Sequence, residues 1–204
     1  MSEPVKYILA ALIAYLIGSV STGTILSKVR KGPDLTKVGS HNTGASNALR
    51  VMGVRDGLIV FFGDFGKAIL SCLIGQWITG TQEGTMLAGL AVVIGHNWPV
   101  FFGFRGGKGV ASSLAVMIFC YPVPALLCYA LGILLIVIWR FISVGSMSVL
   151  VAYALIITFL AAPGNIPAIV MAWLLAVLCL IRHRENIGRL IRGCERKIGE
   201  RVKT

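Results

Sequence analysis

Long apolar runs separated by short polar segments set the pattern of this chain. Residues 4–27 form the first run, which ends in the small polar stretch around Gly18 and Gly23. Residues 57–79 form the second and carry Asp64 and Lys67 inside it; residues 85–102 form the third. Residues 110–121 and 123–139 are two more, divided at Tyr121-Pro122-Val123-Pro124, where the prolines favour a break. The fourth run is short, and it reads as half-buried in protein or as starting at the glycine-rich segment before it. Residues 144–162 make a sixth run, Ala162-Pro163-Gly164-Asn165 a turn, and residues 166–181 a seventh. The pattern predicts an all-α integral membrane protein of about seven transmembrane helices. A cleaved signal peptide is the alternative for the first run; its length and the spans that follow favour a retained helix. Beyond the seventh run, Ile187, Leu190, Ile191, Cys194 and Ile198 recur at helical spacing, which predicts an amphipathic C-terminal helix at the membrane surface or on the protein.

Composition agrees with this reading. Of 204 residues, 56% are hydrophobic and 13% charged, and the mean hydropathy is +0.84. A soluble domain of ordinary composition is excluded, and one polytopic domain over residues 1–204 is expected, with no room for a second soluble one. The net charge of +11 would suggest nucleic acid in a soluble protein. Here it has a simpler source, because cytoplasmic loops of membrane proteins collect Lys and Arg. Segments 28–56 and 105–109, Arg140 and the C-terminal tail hold seventeen of the nineteen Lys and Arg residues. The connections near 80–84, 122–124 and 163–166 hold none. The N-terminus is therefore expected outside, the C-terminus in the cytoplasm, and no nucleic-acid partner is expected. Cys72, Cys120, Cys128, Cys179 and Cys194 form no Cys-x-x-Cys, and four lie in apolar runs, so they read as small hydrophobes. No cluster of His and carboxylates suggests a metal site.

Three polar segments with unusual chemistry fall on the expected cytoplasmic side. The first runs from Gly39 to Arg50 and includes Ser40, His41, Asn42, Thr43, Gly44, Ser46 and Asn47. Its hydroxyls, amides and backbone N–H groups can donate to phosphate oxygens, with Arg50 as a bidentate partner. Ser46 is a candidate N-cap for a short helix starting there. Taken alone, the segment also fits an ordinary solvated loop.

The second runs from Gly95-His96 to Gly106-Gly107-Lys108-Gly109. Glycines turn backbone N–H groups toward one point, and Arg105 and Lys108 add positive charge, which suits an anion. Gly109 follows Lys108 where a nucleotide-binding P-loop needs Ser or Thr, so an NTPase is rejected. Trp98 and the nearby phenylalanines also fit an interfacial aromatic belt, and His96 a satisfied buried imidazole.

The third, just after the last run, holds His183, Asn186 and Arg189. A His, an amide and an Arg on one helical face can bind phosphate and handle a proton. A juxtamembrane basic helix binding anionic lipid is the other reading. Asp64 and Lys67, three apart within a span, read as a mutually neutralising pair, and Ser143 and Ser146 stand near enough to the cytoplasmic start of the sixth run to join a site.

Together the segments resemble the bacterial acyl-phosphate:glycerol-3-phosphate acyltransferase family. The first motif is similar in Gly39-Ser40, Asn42, Gly44, Ser46-Asn47 and Arg50. The second is similar in Gly95-His96, Pro99, Phe101 and Gly106-Gly107-Lys108-Gly109, and the third in His183-Arg184, Asn186-Ile187, Arg189-Leu190, Gly193 and Glu195. His41 stands where the family often has glycine, and Ser46 where it often has threonine. The resemblance covers nearly the whole chain. It implies transfer of an acyl group from acyl phosphate to the 1-hydroxyl of glycerol 3-phosphate, giving lysophosphatidic acid and phosphate without a cofactor. It implies Ser40, Arg50, Lys108, His183 and Asn186 as the catalytic set. Asn42, Gly44, Ser46, Asn47, His96, Gly106, Gly107, Gly109, Ser143 and Arg189 would surround the substrates, with Glu195 structural. The implied setting is the bacterial cytoplasmic membrane with the site at its cytoplasmic face. The implied partners are the two substrates, membrane lipid and the upstream enzyme that makes acyl phosphate. On the residues alone, a transporter or lipid-handling protein that recognises phosphorylated headgroups, and a structural subunit that binds anionic lipid, also stand as readings.

Overall fold

A computed structural model describes residues 1–200, and the backbone forms two compact units, Met1–Val116 and Met117–Glu200. The first unit holds α1 (Glu3–Gly18), α2 (Thr22–Val29), α3 (Ala45–Met52), α4 (Val54–Thr79), α5 (Gln82–Asn97) and a 3-10 turn at Val100–Phe102. Helix α6 (Val110–Cys120) runs across the division of the chain. The second unit holds α7 (Pro122–Trp139), α8 (Ile142–Ile156) with a π-helical extension at Ile157–Ala161, α9 (Ile166–Arg182) and α10 (Arg184–Ile191).

Helices α1, α4 and α5 pack pairwise on one another, and α3 lies on α4. Small residues make the close approach possible. Ala10, Ala14 and Gly18 are the buried positions of α1, spaced four apart on one face, as expected where membrane helices associate through van der Waals contact. The outward positions are large and apolar: Phe62, Leu70, Leu73 and Trp77 on α4 and Leu126, Ile133 and Val137 on α7 are all exposed. Water would penalise that surface, and a hydrocarbon solvent does not. Five helical segments are long and apolar enough to cross a membrane: Glu3–Val29, Val54–Thr79, Gln82–Phe102, Pro122–Trp139 and Ile142–Ala161. The bent pair α9 and α10, inclined by 60°, makes a sixth if taken as one span. Helix α6 has 11 residues, so it rises only about 16 Å against a hydrocarbon core of about 30 Å.

The break expected at Tyr121–Pro124 is present, with α6 ending at Cys120 and α7 beginning at Pro122. Two sequence expectations are corrected. Ser46 does not cap α3: Gly44 occupies the cap position without a side-chain bond, and Ser46 lies inside the first turn. The C-terminal helix is shorter than its apolar spacing suggests, because α10 stops at Ile191 and Gly193 takes a left-handed φ of 67°. Cys194 and Ile198 therefore do not continue the stripe. The end of the expected helix, residues 201–204, lies outside the described residues.

Candidate active site

In the first unit, the segment before α3 is organised around one amide. Asn47 is fully buried, and its Oδ1 accepts the Ser40 N–H at 2.8 Å. Its Nδ2 points at the carbonyl oxygens of Leu35, Val38 and Asn42, at 3.0, 3.1 and 2.8 Å. Asn42 closes a smaller ring: its Nδ2 donates to Ser40 Oγ at 2.8 Å, and its Oδ1 accepts the Gly44 N–H at 3.1 Å. Gly39 has a φ of 68°, and a Cβ there would stand 2.1 Å from Asn47 Oδ1, so the turn that presents Ser40 admits only glycine. Arg50 is buried two turns into the first motif, on α3. The sequence thus places Ser40, Asn42, Gly44, Ser46, Asn47 and Arg50 on one ordered segment.

The second motif brings the end of α5 against the glycine loop. His96 and Asn97 are buried. The Gly107 N–H donates to the His96 carbonyl at 3.1 Å, and a Cβ on Gly107 would stand 2.0 Å from His96 Nε2. Here glycine is required by the imidazole beneath it, in addition to any freedom to turn N–H groups toward a ligand. Beside this loop a cavity of about 300 Å³ is lined by Thr24, Ser27, Lys28, Asp34, Phe102 and Arg105. Lys28 and Arg105 give its wall positive charge, and Lys28 Nζ lies 5.8 Å from the Phe102 ring centroid.

Sequence reasoning reads Asp64 and Lys67 as a mutual pair, and they do pair, with Lys67 Nζ 2.8 Å from Asp64 Oδ1. What the sequence does not reveal is the third member. His96 Nδ1 lies 3.1 Å from Lys67 Nζ and 3.4 Å from Asp64 Oδ1. An intramembrane pair spaced one turn apart was one signal and a buried imidazole at His96 another, but no local spacing links the two across 29 positions.

The second unit holds the third motif and Ser143, described by themselves. Glu195 is the hub: Ser143 Oγ donates to its Oε1 at 2.8 Å, Asn186 Nδ2 to Oε1 at 2.5 Å and Arg189 Nε to Oε2 at 2.7 Å. Burial pushes the Glu195 carboxyl up, but the bonds from Asn186, Arg189 and Ser143 outweigh it and hold the group below its ordinary range. A native pKa below the unfolded one adds stability that is complete above about pH 5 and is lost as pH falls through the ordinary value near 4.3 and the lower native one. Glu195→Gln should therefore lower the unfolding midpoint at pH 7 and match the wild type in strong acid. A thermal-melt difference that is the same at both pH values would count against this account.

His183 sits at the bend between α9 and α10 and is buried. Its Nδ1 lies 2.9 Å from the Cys179 carbonyl. A carbonyl only accepts, so Nδ1 carries the proton and, in the neutral ring, Nε2 is the basic nitrogen. An apolar groove of about 470 Å³ runs along α8, lined by Met147, Val151, Ala152, Leu155, Leu180 and Ile187. Among the described residues, no group of three or more His, Cys, Asp or Glu side chains converges as a metal site would require.

Comparison with known proteins gives a consistent result. A family described as glycerol-3-phosphate acyltransferase matches residues 8–193. A glycerol-3-phosphate acyltransferase of Thermoanaerobacter pseudethanolicus is 40% identical over 195 residues, covering 96% of this chain and 97% of the relative. That of Aquifex aeolicus is 38% identical over 193 residues, covering 94% and 99%. Among solved structures, PlsY (YgiH), an integral membrane glycerol 3-phosphate acyltransferase, matches in its glycerol 3-phosphate form with a TM-score of 0.87 at 38% identity, covering 95% of this chain and 96% of that one. Its lysophosphatidic acid form matches with a TM-score of 0.84 at 36% identity, again covering 95% and 96%.

Proposed function

We propose, since this chain belongs to the glycerol-3-phosphate acyltransferase family, that it moves a fatty acyl group from acyl phosphate to the 1-hydroxyl of sn-glycerol 3-phosphate, releasing lysophosphatidic acid and phosphate. The observation that carries this is the ordered first motif: a buried Asn47 holding Ser40 at a fixed turn, with a buried Arg50 following on α3. Such an arrangement suits fixed recognition of a phosphorylated substrate. The glycerol 3-phosphate and lysophosphatidic acid forms of the solved relative support the acceptor and the product by analogy.

Both substrates carry phosphate, so cations and backbone donors are the main requirement. Lys108 and the Gly106-Gly107-Lys108-Gly109 backbone are assigned to glycerol 3-phosphate, with His96 beside them. Ser40 and Arg50 are assigned to the reacting centre, with Asn42, Gly44, Ser46 and Asn47 shaping their segment. His183 and Asn186 are assigned site roles, and Ser143 and Arg189 substrate contacts, on their motif positions. The apolar groove along α8 suits an acyl chain. In the reaction the acceptor hydroxyl attacks the acyl carbonyl carbon and a C–O bond forms. The bond to the phosphate oxygen breaks, and phosphate leaves with the electron pair. The hydroxyl proton passes to a histidine or to a substrate phosphate. Acyl phosphate already carries a good leaving group, so one-step transfer needs no covalent enzyme intermediate.

The whole chain serves as one acyltransferase unit of seven spans, counting the bent pair α9 and α10 and the short α6 together with the glycine-rich segment before it. The N-terminus is outside and the C-terminus cytoplasmic, supported by the one-sided placement of Lys and Arg. The setting is the bacterial cytoplasmic membrane, the site faces the cytoplasm, and the enzyme supplying acyl phosphate is a candidate partner.

The test is phosphate release from palmitoyl phosphate by the purified protein, with and without glycerol 3-phosphate, and with acyl-CoA as control donor. The expected result is release that depends on glycerol 3-phosphate, with lysophosphatidic acid as co-product. Turnover on acyl-CoA alone, or a stable acyl-enzyme at Ser40 or Ser46, would reject this reading.

A further inference from the structure

The buried charges of α4 have a use beyond neutralising each other. Lys67 Nζ carries three N–H bonds and has three acceptors around it: the Val20 carbonyl at 2.8 Å, Asp64 Oδ1 at 2.8 Å and His96 Nδ1 at 3.1 Å. Asp64 Oδ1 also accepts from Thr22 Oγ1 at 3.0 Å, and Ser112 Oγ donates to the Asp64 backbone carbonyl at 3.2 Å. The carboxylate, the ammonium and the ring are thus held from α2, α4, α5 and α6.

This geometry decides a proton. His96 Nδ1 has two neighbours, Lys67 Nζ at 3.1 Å and Asp64 Oδ1 at 3.4 Å. Asp64 Oδ1 already accepts from Lys67 and Thr22 at 2.8 and 3.0 Å, so the shorter contact to Lys67 takes the Nδ1 lone pair, and a protonated Nδ1 would set N–H against N–H there. Asp64 and Lys67 already cancel in charge, so a neutral ring keeps the buried group neutral within the span. The one ring proton must then sit on Nε2, the nitrogen that abuts Gly107. Asn97, next on α5, lies beneath the same loop, because a Cβ on Gly109 would stand 2.8 Å from its Oδ1. Its buried amide nitrogen and oxygen make no hydrogen bond among the described residues. The end of α5 therefore turns polar groups toward a loop that the proposed reaction uses for phosphate.

We propose that Asp64 and Lys67 are positioning residues for acyl transfer: they lock His96 in the form that donates from Nε2 toward the Gly106-Gly107-Lys108-Gly109 loop. The inference rests on the glycerol 3-phosphate reading for its kinetic consequence, while the proton placement stands independently of it. A donor fixed in a buried site costs no reorganisation when an anion arrives.

Two measurements test it. The first is nitrogen-15 NMR of the full-length protein labelled at histidine, with His96→Gln used to assign the resonance. The expected His96 signal is a neutral ring protonated at Nε2. A ring protonated at Nδ1, or at both nitrogens, overturns the proposal, and this measurement needs no variant to fold beyond the assignment control. The second uses the double variant Asp64→Asn/Lys67→Met, which removes both charges together and so leaves no lone buried ion. Its His96 should show mixed tautomers. Its KM for glycerol 3-phosphate should rise about 10- to 100-fold, the worth of one hydrogen bond to an anion, while its KM for palmitoyl phosphate changes less than about twofold. Unchanged KM values, or two that rise together, overturn the positioning role. Wild-type protein with the expected tautomer but no turnover would reject the acyl-transfer reading and uphold the proton placement.

Discussion

Lys108→Ala is expected to raise the KM for glycerol 3-phosphate by about 10- to 100-fold while leaving the unfolding midpoint close to that of the wild type. Lys108 sits in the loop between α5 and α6 and is not part of the apolar packing that holds the helices together. A charge-assisted contact of about 1.5–3 kcal/mol, lost equally from bound substrate and transition state, appears in KM as about 10- to 100-fold. Lys108→Arg should recover only part of the loss, since a planar fork does not replace a compact ammonium among close-packed glycines. Initial rates at varied glycerol 3-phosphate, with a thermal melt on the same preparation, decide the matter. Lower expression or a lower melt with unchanged kinetics in the surviving protein would remove Lys108 from the site.

Asn47→Leu should have the opposite signature, with stability and activity lost together. The substitution keeps the branched outline, with bulkier methyl ends, but leaves the Ser40 N–H and the Leu35, Val38 and Asn42 carbonyls without the amide they share. Each buried group left unpaired costs about 1–3 kcal/mol, and some of these will recover water, so about 3 kcal/mol in total is expected. The turn that presents Ser40 should open, and turnover should fall by about 100-fold or more, because misplacement near 1 Å costs that much. A melt and a rate assay on the same protein check both halves. A variant with normal stability and a pure KM effect would show that Asn47 meets substrate directly and does not act through the turn.

These two residues differ in how visible they are from the sequence. Lys108 announces itself, as a cation among glycines between two apolar runs. Asn47 stands out only as one polar residue among many, and its importance comes from four backbone groups that converge on it after the chain has turned at Gly39. Glu195 behaves the same way: Ser143, 52 positions away, reaches it through packing and not through any local spacing.

Sequence alone determined the apolar segments, the break at Tyr121–Pro124 and the concentration of basic residues in some connections and not others. These follow from short-range causes: the length needed to cross hydrocarbon, the missing N–H and fixed φ of proline, and the cost of moving cations across a membrane. It also placed the three motifs and the Asp64–Lys67 pair, because residues one turn apart on a helix meet whatever the rest of the fold does. Only the tertiary structure decided where α10 ends and which side chains meet across the chain. Helical spacing continued the stripe to Ile198, but the Glu195 carboxylate turns in to Ser143, Asn186 and Arg189 just after Gly193. Likewise Thr22 reaches Asp64 over 42 positions, and Lys67 reaches His96 over 29. Such contacts depend on how whole helices pack, and a buried polar group takes whatever partner that packing provides.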